Sequence, residues 1–392
     1  MSIRSTSMAS MASMASMASM ASMASMASMA SMASGGAGAT SQQTLAAASS
    51  GALIGSRDGI VGRYTDPIYT PADDGSVGLP HLPFDSIDML EFWESGVRLS
   101  SIHLEILTEL RFTSSGGDTL IISDRSGTAG EMPLLEIARP SMDEFFAQLP
   151  LVHAYSDLRV DRAQEILAQV GEIMSFIGQP ISLHPQRHKN TIEFLFAAVG
   201  AVIEVQKRVK AALAVRRPFE LSAQIQPMIT TPAHSAFPSG HAMEAFCMAE
   251  VLAQIVAPLD DLMAPGSQTR RQQMMLQAAR VGINRTVAGV HYPIDTMSGA
   301  LVGRTLGLYV MSRALGGSVA GQRFESPFDP AAPDAVDFSL TDLNAAFDPD
   351  ATSTSGYYHA TGTDVAPAPA PMLAWLLERA RKEWTAGLVA TP

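Results

Sequence analysis

The stretch that decides the fold runs from residue 210 to residue 295 and contains three short segments. They read KAALAVRRP at 210–218, PSGH at 238–241 and RTVAGVHYPID at 285–295. They supply Lys and Arg side chains, a Ser-Gly turn before an apolar stretch, and two histidines, one with a carboxylate four residues later. Such side chains can hold a tetrahedral oxyanion and react at its central atom. The three segments therefore predict an oxyanion site.

The first two segments are predicted to lie at the ends of helices. Lys210 and Arg217 are seven residues apart, so they share a face if the stretch is a helix, and Pro218 stops that helix. Ser239 precedes an apolar run over 243–255 with helical periodicity, which is typical of a helix N-cap. A helix N-terminus offers free backbone N–H groups and the positive end of the helix dipole, and both suit an anion.

The third segment adds a guanidinium and a histidine with its own carboxylate. Arg285 presents a planar fork of donors to an oxyanion, and Pro293 fits the first turn of another helix. Asp295 is near enough in sequence to accept from the ring N–H of His291 and fix its tautomer. Taken alone, His241 or His291 would more often be an ordinary, partly buried histidine. The joint spacing with Arg285 and Asp295 favours a functional site.

Together the segments resemble the signature of the type 2 phosphatidic acid phosphatase and vanadium-dependent haloperoxidase superfamily. That signature is K-x6-RP, then PSGH, then SR-x5-H-x3-D, and the one departure here is Asn284, which stands where the family usually has Ser. The resemblance covers residues 210–295. It implies an all-α fold, a helical bundle of the vanadium haloperoxidase and acid phosphatase type.

The resemblance also implies a role for each residue. The oxygens of phosphate or vanadate would be bound by Lys210, Arg217, Ser239, Gly240 and Arg285. His241 would be the general acid or base. His291 would be the nucleophile of a phosphatase or the ligand of vanadium, and Asp295 would orient it. One pocket can serve both uses because vanadate readily takes the five-coordinate shape of a phosphoryl-transfer transition state.

The choice between oxidation and hydrolysis depends on weaker signals. His234 resembles in position a histidine of bromide-oxidising haloperoxidases, although it could simply line the loop. Lys207 stands where chloride-oxidising members tend to have a tryptophan. The favoured prediction is a vanadate-dependent haloperoxidase that uses hydrogen peroxide to oxidise bromide or iodide. The alternative is a phosphatase without a cofactor that hydrolyses phosphate monoesters through a phosphohistidine at His291. A third possibility is a catalytically silent oxyanion-binding protein.

Composition sets limits on partners and location. The formal net charge is −12, so the short basic cluster near Lys210 is better explained by solvation than by nucleic acid binding. The longest uninterrupted apolar stretch near the motifs is ten residues, 194–203, whereas a membrane helix needs roughly 20. No charged segment followed by an apolar one marks a signal peptide. The sequence therefore predicts a soluble, cytoplasmic protein without a membrane span.

Four regions are predicted along the chain. Residues 1–40 form a low-complexity tail, in which 8–34 are nine consecutive Met-Ala-Ser triplets, and such a repeat predicts disorder. Residues 41–316 form the helical catalytic domain. Residues 317–370 form an extension rich in Pro, Asp and Ala, and 371–388 form a last helix that packs back on the domain.

Overall fold

The structure is a computed structural model that describes residues 83–257, 259, 268–333, 336–348 and 356–385. The predicted Met-Ala-Ser tail lies outside the described residues. The α-helices are α1 (Ser95–Leu107), α2 (Met142–Tyr155), α3 (Arg159–Ala168), α4 (Met174–Gly178), α5 (Lys189–Leu213), α6 (Pro218–Leu221), α7 (Gly240–Val256), α8 (Arg270–Val287), α9 (Pro293–Leu315), α10 (Leu340–Ala345) and α11 (Pro371–Thr385). Short 3-10 helices cover Ile87–Phe92, Ser156–Leu158 and Gln179–Ile181. Among the described helices, none combines the length and the apolar composition that crossing a membrane requires.

Helix α7 lies at the centre of the helical part, packed against α5, α8 and α9. Two glycines of α9 allow the closest approach. A Cβ atom at Gly303 would lie 2.2 Å from the main-chain oxygen of Met243, and one at Gly299 would lie 2.5 Å from that of Ser239. Any side chain there would force the two helices apart. This contact brings the turn before α7 onto the first turn of α9, where the Ser239 N–H donates to the main-chain oxygen of Asp295 at 2.8 Å.

Helix α11 holds the other end of α5. The Glu383 carboxylate accepts from the N–H groups of Asn190 at 2.7 Å and Thr191 at 2.9 Å, which are free donors in the first turn of α5. The carboxylate also interacts favourably with the positive end of the helix dipole. The last segment of the described chain thus fixes the long helix that carries Lys210.

The prediction of an all-α fold is wrong, because five strands form a mixed sheet beside the helices. The strands are β1 (Leu110–Ser115), β2 (Thr119–Asp124), β3 (Met132–Ala138), β4 (Val319–Phe324) and β5 (Tyr358–Val365). They lie side by side in chain order. The β3–β4 pair is parallel and the other pairs are antiparallel. The fold therefore combines a helical bundle with a five-stranded sheet.

Most of these strands could not be predicted from local sequence patterns. Apolar side chains recur at helical spacing over 86–112, but α1 ends at Leu107 and β1 begins at Leu110. Gly116 and Gly117 then take positive φ angles, 64° and 87°, and connect β1 to β2. Strands β4 and β5 lie within the segment predicted as an extension over 317–370. Their pairing with β3 joins residues far apart in sequence, and tertiary context of this kind outweighs strand propensity.

Candidate active site

The carboxylate of Asp295 holds His291 at the start of α9. The Nδ1 atom of His291 lies 2.7 Å from the Oδ2 atom of Asp295, which also accepts from the N–H of Tyr292 at 3.1 Å. An ionised carboxylate can only accept, so the ring nitrogen Nδ1 is the donor, and the lone pair of the neutral ring lies on Nε2. Burial, and then the charges of Arg217 and Lys210, hold the pKa of His291 well below its ordinary value. The ring is therefore neutral and its Nε2 atom is nucleophilic.

One predicted cation, Arg217, lies beside that nitrogen, and a second, Lys210, is near enough for its charge to act on the ring. The Nη1 atom of Arg217 lies 3.2 Å from Nε2 of His291 and donates to the main-chain oxygen of Val290 at 2.8 Å. The Nζ atom of Lys210 donates to the main-chain oxygens of Ser235 at 2.9 Å and Ala236 at 2.8 Å. Both cations are almost fully buried. The loop before α7 therefore orients them.

Lys210 and Arg217 do not share a helix face. Helix α5 ends at Leu213, and Ala214 takes a left-handed conformation with φ 51°. The chain leaves the helix there, and Arg217 lies at the N-cap of the short helix α6. The two cations therefore belong to two separate helical elements.

Arg285 approaches from the last turn of α8. Its Nη2 atom donates to Oε1 of Gln169 at 3.0 Å and to the main-chain oxygen of Ile166 at 3.2 Å. Its Nε and Nη1 atoms have no hydrogen-bond partner among the described residues, and neither does the Oγ atom of Ser239. Buried donors without partners are costly unless a ligand accepts from them. These orphaned donors fit a bound oxyanion such as phosphate or vanadate.

The Ser-Gly turn contributes backbone donors. Ser239 is the N-cap of α7 and Gly240 is its first residue, so the first N–H groups of the helix have no helical acceptor. A Cβ atom at Gly240 would lie 1.4 Å from the Nε2 atom of Gln206, so only glycine allows the Gln206 amide to sit against this turn. We use the term oxyanion cage for Lys210, Arg217, Ser239, Gly240, Arg285 and His291.

His241 lies on the first turn of α7 and has a different partner from His291. Its Nε2 atom lies 3.1 Å from the main-chain oxygen of Gln169. A carbonyl only accepts, so Nε2 carries a proton and Nδ1 is the free nitrogen of the neutral ring. Burial, and then the charge of Arg285, lower the pKa of His241 to about 3. A bound dianion would offset that positive charge and favour protonation.

His234 lies at the outer edge of the site. It is exposed, its Nδ1 atom lies 3.2 Å from Nη2 of Arg217, and its main-chain oxygen accepts from the same guanidinium. The structure thus brings the predicted site residues into one region, with His234 on the rim.

Three side chains that the sequence analysis missed complete the surroundings. Gln169, fully buried just after α3, holds Arg285 with its amide oxygen and His241 with its main-chain oxygen. Gln206 covers Gly240, and Glu244 lies one turn after His241. A carboxylate interrupting the apolar run of α7 was a visible signal for Glu244. No local pattern marked Gln169.

Asn284 takes part in this support. Its Nδ2 atom donates to Oε1 of Gln169 at 3.0 Å and to Glu165 at 2.9 Å. Asn284 is buried behind Arg285, so the departure from the usual Ser changes a supporting contact and leaves the oxyanion cage complete.

Comparison with known proteins gives a family match for the part of the chain that carries the candidate site. Residues 191–315 match the family model described as the PAP2 superfamily, and this part of the chain is a PAP2 superfamily domain. No curated protein matches the chain. Among solved structures, one similar chain is a transmembrane PAP2 type phosphatidylglycerolphosphate phosphatase from Bacillus subtilis. It shares 18% identity over 43% of this chain and 83% of that chain, with a TM-score of 0.27.

Proposed function

We propose that the PAP2 domain is a phosphatase that hydrolyses phosphate monoesters through a phosphohistidine at His291. The observation that carries this proposal is the Nε2 atom of His291, which bears the lone pair of the ring. Asp295 fixes that ring, and Nε2 lies beside Arg217 and near buried donors that lack partners. The membership of residues 191–315 in the PAP2 superfamily supports it.

The reaction would have two steps. In the first, Nε2 of His291 bonds to phosphorus while the bond to the ester oxygen breaks, and His241 gives that oxygen a proton. In the second, water attacks phosphorus, His241 takes its proton, and the bond to Nε2 breaks. Lys210, Arg217 and Arg285 stabilise the charge on the other oxygens in both transition states.

Hydrolysis of p-nitrophenyl phosphate by the EDTA-treated protein tests this proposal. We expect turnover without added metal, inhibition by vanadate, and loss of turnover in Lys210→Ala. The matched control is Lys207→Ala, which removes an exposed lysine one turn earlier on α5. Turnover that survives Lys210→Ala would contradict the proposed site.

A second candidate is the vanadate-dependent haloperoxidase, and the position of His234 beside Arg217 favours it. His291 would hold vanadate through Nε2, with the rest of the oxyanion cage around its oxygens. Bound vanadate would supply the Lewis acidity that activates hydrogen peroxide towards a halide. The protein treated with vanadate is assayed for peroxide-dependent bromination of a dye. No activity with bromide or iodide excludes this candidate, and turnover in either assay excludes a catalytically silent protein.

A further inference from the structure

Helix α7 carries two carboxylates with opposite surroundings. Glu250 is fully buried, and it pairs with Arg271 at 2.6 Å and with Arg304 at 3.1 Å. Glu244 forms no ion pair with any Lys or Arg among the residues that the structure describes. Buried ionised carboxylates are normally paired, so Glu250 has the surroundings of a structural anion and Glu244 does not.

Glu244 lies on the same face of α7 as His241. Over residues 240–253 of α7, only His241 and Glu244 are partly rather than fully buried, and they are one turn apart. The charges that act on Glu244 are those of Lys210 on α5 and Arg285 on α8, and Gln206 on α5 is its hydrogen-bonding neighbour. Glu244 is therefore placed among groups that bind the anion.

The charge of the site depends on the protonation of Glu244. When Lys210, Arg217 and Arg285 are charged, a bound dianion and the Asp295 carboxylate together balance them. An ionised Glu244 would add a negative charge next to the anion in a buried site, which is costly. A neutral carboxylic acid would instead offer an O–H donor.

We propose that Glu244 is a proton-carrying residue of the site, neutral when the anion is bound and donating a hydrogen bond to one of its oxygens. The proposal rests on the proposed function, because it requires an anion in the oxyanion cage. No covalent bond to the anion forms or breaks in this contact. Anion binding would therefore be coupled to uptake of a proton wherever Glu244 is ionised beforehand.

The surroundings set the pH range of that coupling. Burial raises the pKa of Glu244 to about 7, against the lowering effect of Lys210. Below this pH the carboxyl already carries its proton, and above it binding must take one up. Anion affinity is therefore expected to fall as pH rises above about 7.

Calorimetric titration with sulfate, a dianion throughout the range used, tests the proposal. Binding at pH 8 in buffers of different ionisation enthalpy gives the number of protons taken up. We expect Glu244→Gln, which keeps a hydrogen-bond donor, to take up close to one proton fewer than wild type. Between pH 6.5 and 8.5, we also expect the sulfate affinity of wild type to fall roughly 10-fold more than that of Glu244→Gln. The number of protons taken up is compared between wild type and Glu244→Gln, because Lys210 and His241 can also take up protons in both proteins.

The matched control is Glu204→Gln, which changes the net charge equally on the exposed side of α5. It is expected to behave as wild type. Equal proton uptake by wild type and Glu244→Gln would overturn the role of Glu244 while leaving the oxyanion cage intact. Absence of sulfate binding in wild type, together with absence of phosphatase turnover, would overturn the proposed function as well.

Discussion

The starts of α7 and α9 each present a histidine to the same site, but they hold it differently. His291 before α9 donates to a carboxylate, whereas His241 on α7 faces a main-chain carbonyl. The carboxylate strengthens the basicity of the ring and leaves Nε2 free to attack. The carbonyl can only accept, so it keeps a proton on Nε2 of His241. The ring can then gain and lose a proton at its other nitrogen, Nδ1. In the proposed mechanism, this difference favours attack by His291 and proton transfer by His241.

The largest expected effect is that of His291→Ala. Removal of the nucleophile is expected to lower the turnover of p-nitrophenyl phosphate by about 10⁴-fold or more. Steady-state rates of the variant and of His153→Ala, which removes an exposed histidine of α2, provide the comparison. A loss below about 100-fold would mean that His291 is not the attacking group.

His241→Ala is expected to have the next largest effect. Without the proton carrier, turnover is expected to fall by roughly 10²–10⁴-fold. Sulfate affinity, measured by calorimetry, should stay close to that of wild type because the oxyanion cage is unchanged. Equal losses of affinity and rate would refute the division of roles between the two helix starts.

Asp295→Asn tests how His291 is oriented. The turnover of the variant is expected to fall by about 10- to 100-fold, because the Asn side chain lacks the carboxylate charge that fixes the ring of His291. Burial raises the pKa of Asp295, so its carboxylate takes up a proton at a higher pH than an exposed aspartate would. The ratio of wild-type to variant rates should therefore shrink as pH falls. A ratio that is constant from pH 5 to 9 would contradict the carboxylate role.

Arg285→Ala is expected to act on affinity. Loss of the donors aimed at the anion should weaken sulfate or phosphate binding by about 1.5–3 kcal/mol per lost charge-assisted hydrogen bond. Arg280→Ala removes an arginine of the same helix that pairs on the surface with Glu165, and it serves as the control. Similar losses in both variants would show that Arg285 does not bind the anion.

Gln169→Ala is expected to have the smallest effect. It removes one of the two acceptors of Arg285 and leaves the main-chain oxygen that His241 contacts. Anion affinity should fall by about 0.5–1.5 kcal/mol, the net worth of one hydrogen bond, with the turnover of the bound substrate nearly unchanged. A larger fall in turnover than in affinity would mean that Gln169 positions His241 through its side chain.

Local sequence predicted one contact of the candidate site better than it predicted the fold. The contact between His291 and Asp295 needs only four residues and a helix start at Pro293, so spacing alone indicated it. Gln169 was missed because it reaches Arg285 and His241 from a helix far away in sequence. The continuous helix from Lys210 to Arg217 failed at Ala214, which takes a left-handed conformation that no local signal marked.

The sheet was missed for the same physical reason. Strand β3 contains Pro133, β4 contains Gly321 and β5 contains Gly362, and each of these residues weakens a strand prediction. What stabilises these strands is pairing between distant segments, in particular the parallel contact of β3 with β4. Helical periodicity was easier to see because each helix of the PAP2 domain carries its own pattern.

The most direct test of the difference between the two helix starts is mass spectrometry of the protein quenched in base during turnover of p-nitrophenyl phosphate. His241→Ala is the best protein for this, because p-nitrophenolate can leave without a proton from His241, whereas the attack of water needs a base. Breakdown of the intermediate therefore slows more than its formation, and the intermediate accumulates. We expect phosphate on His291 and on no other residue. Hydrolysis at a measurable rate without phosphate on His291, or with phosphate on a different side chain, would contradict attack by the Nε2 atom of His291.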